Sequence, residues 1–253
     1  MRLVLRSRFW LSAVSGFVNS IGFVVLVGVF LTGATGNAVH VGVALGDELW
    51  RDALRFGLPI AGLFGAAAIA LGVGFILRRR GIDPRPLMAW GEIALLATIA
   101  VLGSVLRDER GMSVFSAEYY VFLLLGVGAL GLQYALVHLS GPPERVSTVV
   151  VGIHVIHGAT SAAHWIDARF RPTSTPEEES VARAEASDAR REWADHLGMI
   201  LCFAAGGWVG IVLERRVGLW ALVVPVTVLV ALQVLGQHRH QMVPETDTDV
   251  SPA

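Results

Sequence analysis

The sequence predicts an all-α, polytopic membrane helix bundle, and three observations carry that reading. Hydrophobic residues make up 54% of the chain and charged residues 16%, against about 25% charged in a soluble domain. Mean hydropathy is +0.60. Six nearly uncharged runs, 9–31, 54–77, 87–106, 119–138, 196–213 and 217–236, approach the roughly 20 residues that a membrane helix needs. Two further runs are read as short or re-entrant helical segments: 36–46, which is short, and 146–166, which carries His154, His157 and His164. The reading is one membrane domain over 1–237, with a polar loop at 167–195 and a polar tail, 238–253, expected to be disordered.

The first run follows a basic lead, "MRLVLRSRF", and shows no small-residue cleavage site after a short apolar core. It therefore reads as an uncleaved first membrane helix. It continues into "FLTGATGNAVHVGVAL", whose Thr and Gly residues loosen a helix. An exposed backbone group in lipid costs several kcal/mol, so this break needs protein around it.

All 20 basic residues are arginine. With six spans and the N-terminus inside, fourteen of them fall inside: Arg2, Arg6, Arg8, Arg78, Arg79, Arg80, Arg85, Arg145, Arg169, Arg171, Arg183, Arg190, Arg191 and Arg239. Six fall outside: Arg51, Arg55, Arg107, Arg110, Arg215 and Arg216. That asymmetry follows the positive-inside preference and favours six spans over eight, with a cytoplasmic N-terminus in a bacterial inner membrane. In the polar loop, "TPEEE" at 175–179 has a cap, a first-turn proline and acids at the positive helix end. It predicts a solvated helix leading into the fifth span.

The halves, 9–106 and 119–236, resemble one another. Gly16 and Gly131 each precede an amide, Asn19 and Gln133. Gly36 and Gly42 match Gly152 and Gly158; "VGFILRRR" from Val73 matches "VGIVLERR" from Val209; Trp90 matches Trp220. Three spans per half would make an inverted repeat, as in many secondary transporters. An inverted repeat puts Arg79–Arg80 and Arg215–Arg216 on opposite faces, whereas a parallel repeat with four spans per half puts both pairs inside.

Polar groups in the apolar runs are the candidate path residues. Ser147, His154, His157, Ser161 and His164 share an arc of roughly 100° on a helix, a stripe suited to a cavity or the bundle interior. Thr35, Gly36, Asn37 and His40 form a shorter version in the first half, with Gly152 beside the second. Asn19 and Gln133 add amides, and Glu92 is the one acid well inside an apolar run. Histidine can carry protons near neutral pH or bond a solute; the alternative for all of these is interhelical bonding that holds the bundle together. The single cysteine, Cys202, excludes an internal disulfide or a Cys-rich metal site. A net charge of -1 suggests no nucleic-acid partner, and no spacing fixes a metal or cofactor site. The chain has no Gly-rich phosphate loop, Gly-x-Ser-x-Gly elbow or His-Glu-x-x-His pattern, so no enzyme is expected.

The stretches "GFVNSIGFVVLVGVFLTGATGNAVHVGVAL", "GVGALGLQYALV" and "STVVVGIHVI" resemble three motifs of the YoaK-like family of bacterial inner-membrane proteins. The likeness covers nearly the whole chain apart from the polar loop and tail. It implies a six-span membrane protein and names no substrate. Three positions depart from the family pattern: Asn19 stands where an Asp is usual, Tyr134 where Asn often follows Gln, and Val151 where a Thr precedes Gly. The sequence expectation is a permease or exporter of a small solute, in the lipid bilayer and compatible with a homo-oligomer. The alternative is a non-transporting scaffold or accessory subunit.

Overall fold

A computed structural model describes residues 2–106, 114–140 and 151–242. Ser147 and the tail from 243 lie outside them. The described residues form helices α1 (Arg2–Val25), α2 (Ala34–Gly46), α3 (Trp50–Arg79), α4 (Arg85–Leu106), α5 (Ala117–Leu139), α6 (Val151–Phe170), α7 (Pro176–Val217) and α8 (Val223–Met242), with a 3-10 turn, Gly218–Leu222, between the last two. Among the described residues there is no strand. Five helical runs are long and apolar enough to cross a membrane: Arg8–Val25, Trp50–Arg79, Arg85–Gly103, Ala117–Leu139 and Pro176–Leu235. This is the pattern of a multi-pass membrane protein. The fifth run joins α7, the 3-10 turn and α8; Gly218, with φ 61°, ends α7 and lets the chain reverse.

Close glycine contacts fix the helix directions. Gly62 meets Val127, Gly131 meets Ala66 and Gly74 meets Leu139 at one constant separation in sequence, so α3 and α5 run parallel. Arg8 pairs with Asp195, the Ser12 hydroxyl donates to the Met199 carbonyl, and Gly16 packs on Phe203 at another constant separation, so α1 and α7 run parallel. By contrast α1 and α5 are antiparallel. Gln133 reaches Ser15 and the Leu11 carbonyl near one end, and the Tyr119 hydroxyl reaches the Leu26 carbonyl near the other. Gly91 against Leu132, Gly128 against Leu95 and Gly103 against Phe122 make α4 and α5 antiparallel too.

The two halves therefore cross-pack alike and in opposite senses: α1 lies along α7, as α5 lies along α3. In each half the shorter helix leans on the next long one, α2 on α3 and α6 on α7. The ends of α3 and α7, which carry Arg78–Arg79 and Arg215–Arg216, point to opposite faces. Small residues make the tightest crossing. A Cβ at Gly16 would overlap the Phe203 carbonyl, and one at Gly206 the Ala13 carbonyl. Such backbone approach is how helices associate where apolar burial gives no net drive.

Three expected boundaries change. The first run, 9–31, is helical only to Val25, because the backbone turns at Val27 and Gly28, with φ 51° and 86°. The helix in 146–166 is described as Val151–Phe170, extending past that run. The polar region 167–195 is mostly helix rather than loop. α7 is 42 residues long, about 63 Å at 1.5 Å per residue, roughly twice a bilayer core. Its first half projects with α6 as a two-helix arm. The expected cap is formed: Thr175 Oγ1 accepts from the Glu178 amide and the Glu178 carboxylate accepts from the Thr175 amide. Along the arm Trp165 stacks on Trp193, and Arg171 bridges Asp167 and Glu185. Those carboxylates raise the Arg171 pKa. At the α3–α4 corner, the hydrogen bond from Arg85 holds the Asp83 carboxyl below its ordinary range.

Candidate functional site

The site is built where α1 breaks. After Val25 the chain leaves the helix, folds back along α1 and starts α2 beside it. Thr32 is then level with Asn19, in the middle of α1: the Asn19 Oδ1 accepts from the Thr32 amide at 3.1 Å and from its hydroxyl at 3.4 Å. Leu31 wedges between Gly22 of α1 and Gly126 of α5, where added Cβ atoms would lie 2.6 and 3.0 Å from its side chain. Gly126 is the tenth residue of the 23-residue α5, so the leg dips well into the bundle. The turn at 47–49 brings α2 back onto α3, where His40 stacks on Phe56. The segment 26–46 thus enters and leaves on one side, as a re-entrant leg and half-helix.

Non-helical backbone at this depth must be bonded inside the protein. Four side chains do so. Asn37 acts as a backbone substitute, its Oδ1 accepting from the Phe30 amide at 3.1 Å and its Nδ2 donating to the Phe30 carbonyl at 2.6 Å. The Tyr119 hydroxyl donates to the Leu26 carbonyl at 3.1 Å, and Arg55 donates to the Val27 carbonyl at 3.2 Å. Asn19 holds Thr32. Neither Tyr119 nor Arg55 is marked by the sequence beyond an Arg standing second in the apolar run 54–77.

At the centre lies a cavity of about 30 Å³ lined by apolar side chains, among them Val18, Ile21, Leu31, Ile99, Phe122 and Leu222. Two polar layers follow one another on its side toward the start of α1. One is Asn19 with Thr32. The other is Gln133, whose Oε1 accepts from the Ser15 hydroxyl at 2.8 Å and whose Nε2 donates to the Leu11 carbonyl at 2.9 Å. Glu92 is fully buried on α4.

The structure thus gathers Asn19, Asn37, Gln133 and Glu92 in the interior. It does not bring the other candidates to them. Thr35, His40, Gly152 and His157 are exposed, and Gly36 is half-buried. The expected stripe on α6 divides: His154 and Ser161 are buried against α7, whereas His157 and His164 are exposed. His154 Nδ1 lies 3.0 Å from His196 Nδ1, His157 stacks on His196, and Ser161 donates to Glu192 at 3.2 Å. These contacts fasten α6 to α7 where the arm leaves the bundle. Among the described residues no three His, Cys, Asp or Glu side chains are placed to hold a metal ion.

No curated protein and no solved structure matches the chain. A family model does, over residues 8–235, which spans α1 to α8 and takes in both the re-entrant segment and the arm. The chain belongs to the family described as "Protein of unknown function (DUF1275)".

Proposed function

We propose that this protein is a permease or exporter of a small solute in the bacterial inner membrane, with six crossings in two inverted halves and the N-terminus cytoplasmic. One observation carries the reading: a re-entrant leg sits between α1 and α5, the first helices of the two oppositely directed halves. Secondary transporters place solute sites at such interfaces, beside broken helices. The side chain that blocks the interface is Leu31, which rides on the leg rather than on a long helix. In this reading the structure is the closed form, with the apolar plug between the two polar layers and the end of the bundle at which the leg enters. Withdrawal of the leg would open the Asn19 and Ser15–Gln133 layers to the side on which the leg enters. The motif resemblance to the YoaK-like proteins agrees with the bacterial inner membrane, as does the arginine bias. No catalytic chemistry is part of this reading.

The test is flux in liposomes reconstituted with folded protein across a broad metabolite panel. Wild-type protein should carry at least one small solute, and Leu31→Ala should raise its rate. Absence of flux for every solute with folded protein would overturn the proposal.

A second reading, a non-transporting scaffold, is favoured by one observation. Asn19, Asn37 and Gln133 all bond to backbone or to each other's helices, as glue would. It predicts that His154→Ala and His157→Ala lower stability. Unchanged stability with loss of a cellular transport phenotype would sink it.

A further inference from the structure

We infer that Glu92 is a proton-binding site in the interior of the bundle, and that the proton is the coupling ion of the transport cycle; the second half of this rests on the permease reading. Glu92 has no exposed surface, and among the described residues neither carboxylate oxygen has a hydrogen-bond partner. A lone ionised carboxylate in such a place costs several kcal/mol, and a bound proton removes the charge.

Its direction is inward. Glu92, Leu96, Ile99 and Gly103 form one stripe of α4 at helical spacing. Ile99 lines the central cavity, and Gly103 packs on Leu219 and Phe122. The α4–α5 register, Gly91 on Leu132 and Leu95 on Gly128, puts Glu92 level with Gly131. Gln133 and its partner Ser15 occupy the same layer, both with no exposed surface. A buried acid with nothing bonded to it, beside an amide and a hydroxyl that are bonded, is a poor structural tie and a good proton carrier.

Among the described residues no charged side chain of the elements packed on α4 lies at this level. The 3-10 turn and α8 from Val223 to Leu235 carry no titratable side chain. On α5, Glu118, Tyr119 and Tyr120 lie at the far end, and Tyr134 and His138 stack on one another. On α4 itself, Arg85 is two turns away, at the end nearest the N-terminus. Glu92 is about 10 Å along α4 from that end, so protons would reach it from there when the bundle opens.

The experiment is infrared difference spectroscopy on purified protein in lipid nanodiscs, through pH steps and in heavy water. The expected result is a carboxylic-acid carbonyl band that shifts in heavy water and disappears reversibly at alkaline pH. Glu92→Gln, which mimics the neutral acid and should fold, loses the band completely. Glu92→Leu, which removes the polar group, loses it as well. The inference is overturned by identical spectra for wild type and Glu92→Gln. A Glu92 band that neither titrates nor exchanges while the protein stays folded also overturns it. Failure of the permease reading is distinct: the band would titrate as expected while no solute moved. If solute moves, Glu92→Gln should leave its flux insensitive to an imposed pH gradient.

Discussion

Asn37 holds both backbone groups of Phe30 through one amide, and that geometry sets its cost. Replacing it with Ala leaves the part-buried N–H and C=O of Phe30 without these partners, at up to about 1–3 kcal/mol each. We predict that Asn37→Ala lowers the thermal unfolding midpoint in detergent clearly. Asn37→Asp should also destabilise, because it loses the Nδ2 donor and turns an acceptor toward the Phe30 carbonyl. At position 19 the amide is used only as an acceptor toward Thr32, so Asn19→Asp should be milder than Asn19→Ala in the same measurement. The sequence marks these residues as out of place in apolar runs, and Glu92 likewise. It does not reveal that Asn37 serves its own chain seven residues back, since a side-chain bond to a local turn leaves no periodic signature. The exposure of Thr35 and His40 is hidden for a related reason. Which face of a 13-residue helix turns inward is decided by α3, not by the helix.

At the scale of elements, the α1–α7 crossing depends on backbone contact. Gly16→Ala or Gly206→Ala puts a methyl group against a carbonyl that belongs to a helix and has no side-chain freedom to yield. Overpacking of this kind costs about 1–3 kcal/mol, occasionally more, and the predicted outcome is a large fall in unfolding temperature. Gly42 has nothing within reach of an added Cβ, so Gly42→Ala should be neutral or stabilising by about 0.5–1 kcal/mol through reduced backbone entropy. Thr175→Ala removes the cap of α7 and should cost about 1 kcal/mol of helix stability, read as faster amide exchange in the arm with the bundle unchanged. The cap was legible because Thr-Pro-Glu-Glu-Glu is a local signal. The continuity of α7 was not. Its composition changes near Asp195 from solvated to apolar, which marks a change of surroundings while the hydrogen-bonded helix runs on. The end of α1 was misplaced for the opposite reason: Leu26 to Leu31 stay apolar after the helix has stopped, and hydropathy cannot distinguish an apolar leg from another turn of helix.

For the whole molecule, the opposite directions of α1 and α5 organise everything else. With α3 and α7 antiparallel, Arg79–Arg80 and Arg215–Arg216 sit on opposite faces, as an inverted repeat requires and a parallel one does not. The all-helical class and the presence of a break after α1 were readable from composition and from Thr-Gly-Ala-Thr-Gly-Asn. The cross-packing of α1 with α7 and of α3 with α5 was not, because glycine partners across a bundle carry no mark of each other in a single chain. The same arrangement makes α2 return to the side from which its leg entered. Site-directed thiol labelling in a Cys202→Ala background tests that most directly, with Asp47→Cys in one variant and Glu178→Cys in another, probed by a membrane-impermeant reagent from each side. The inverted arrangement predicts that positions 47 and 178 label from opposite sides, and the proposed cytoplasmic N-terminus makes these the outside for 47 and the cytoplasmic side for 178. Labelling of both from the same side would mean that α2 crosses, and would contradict it.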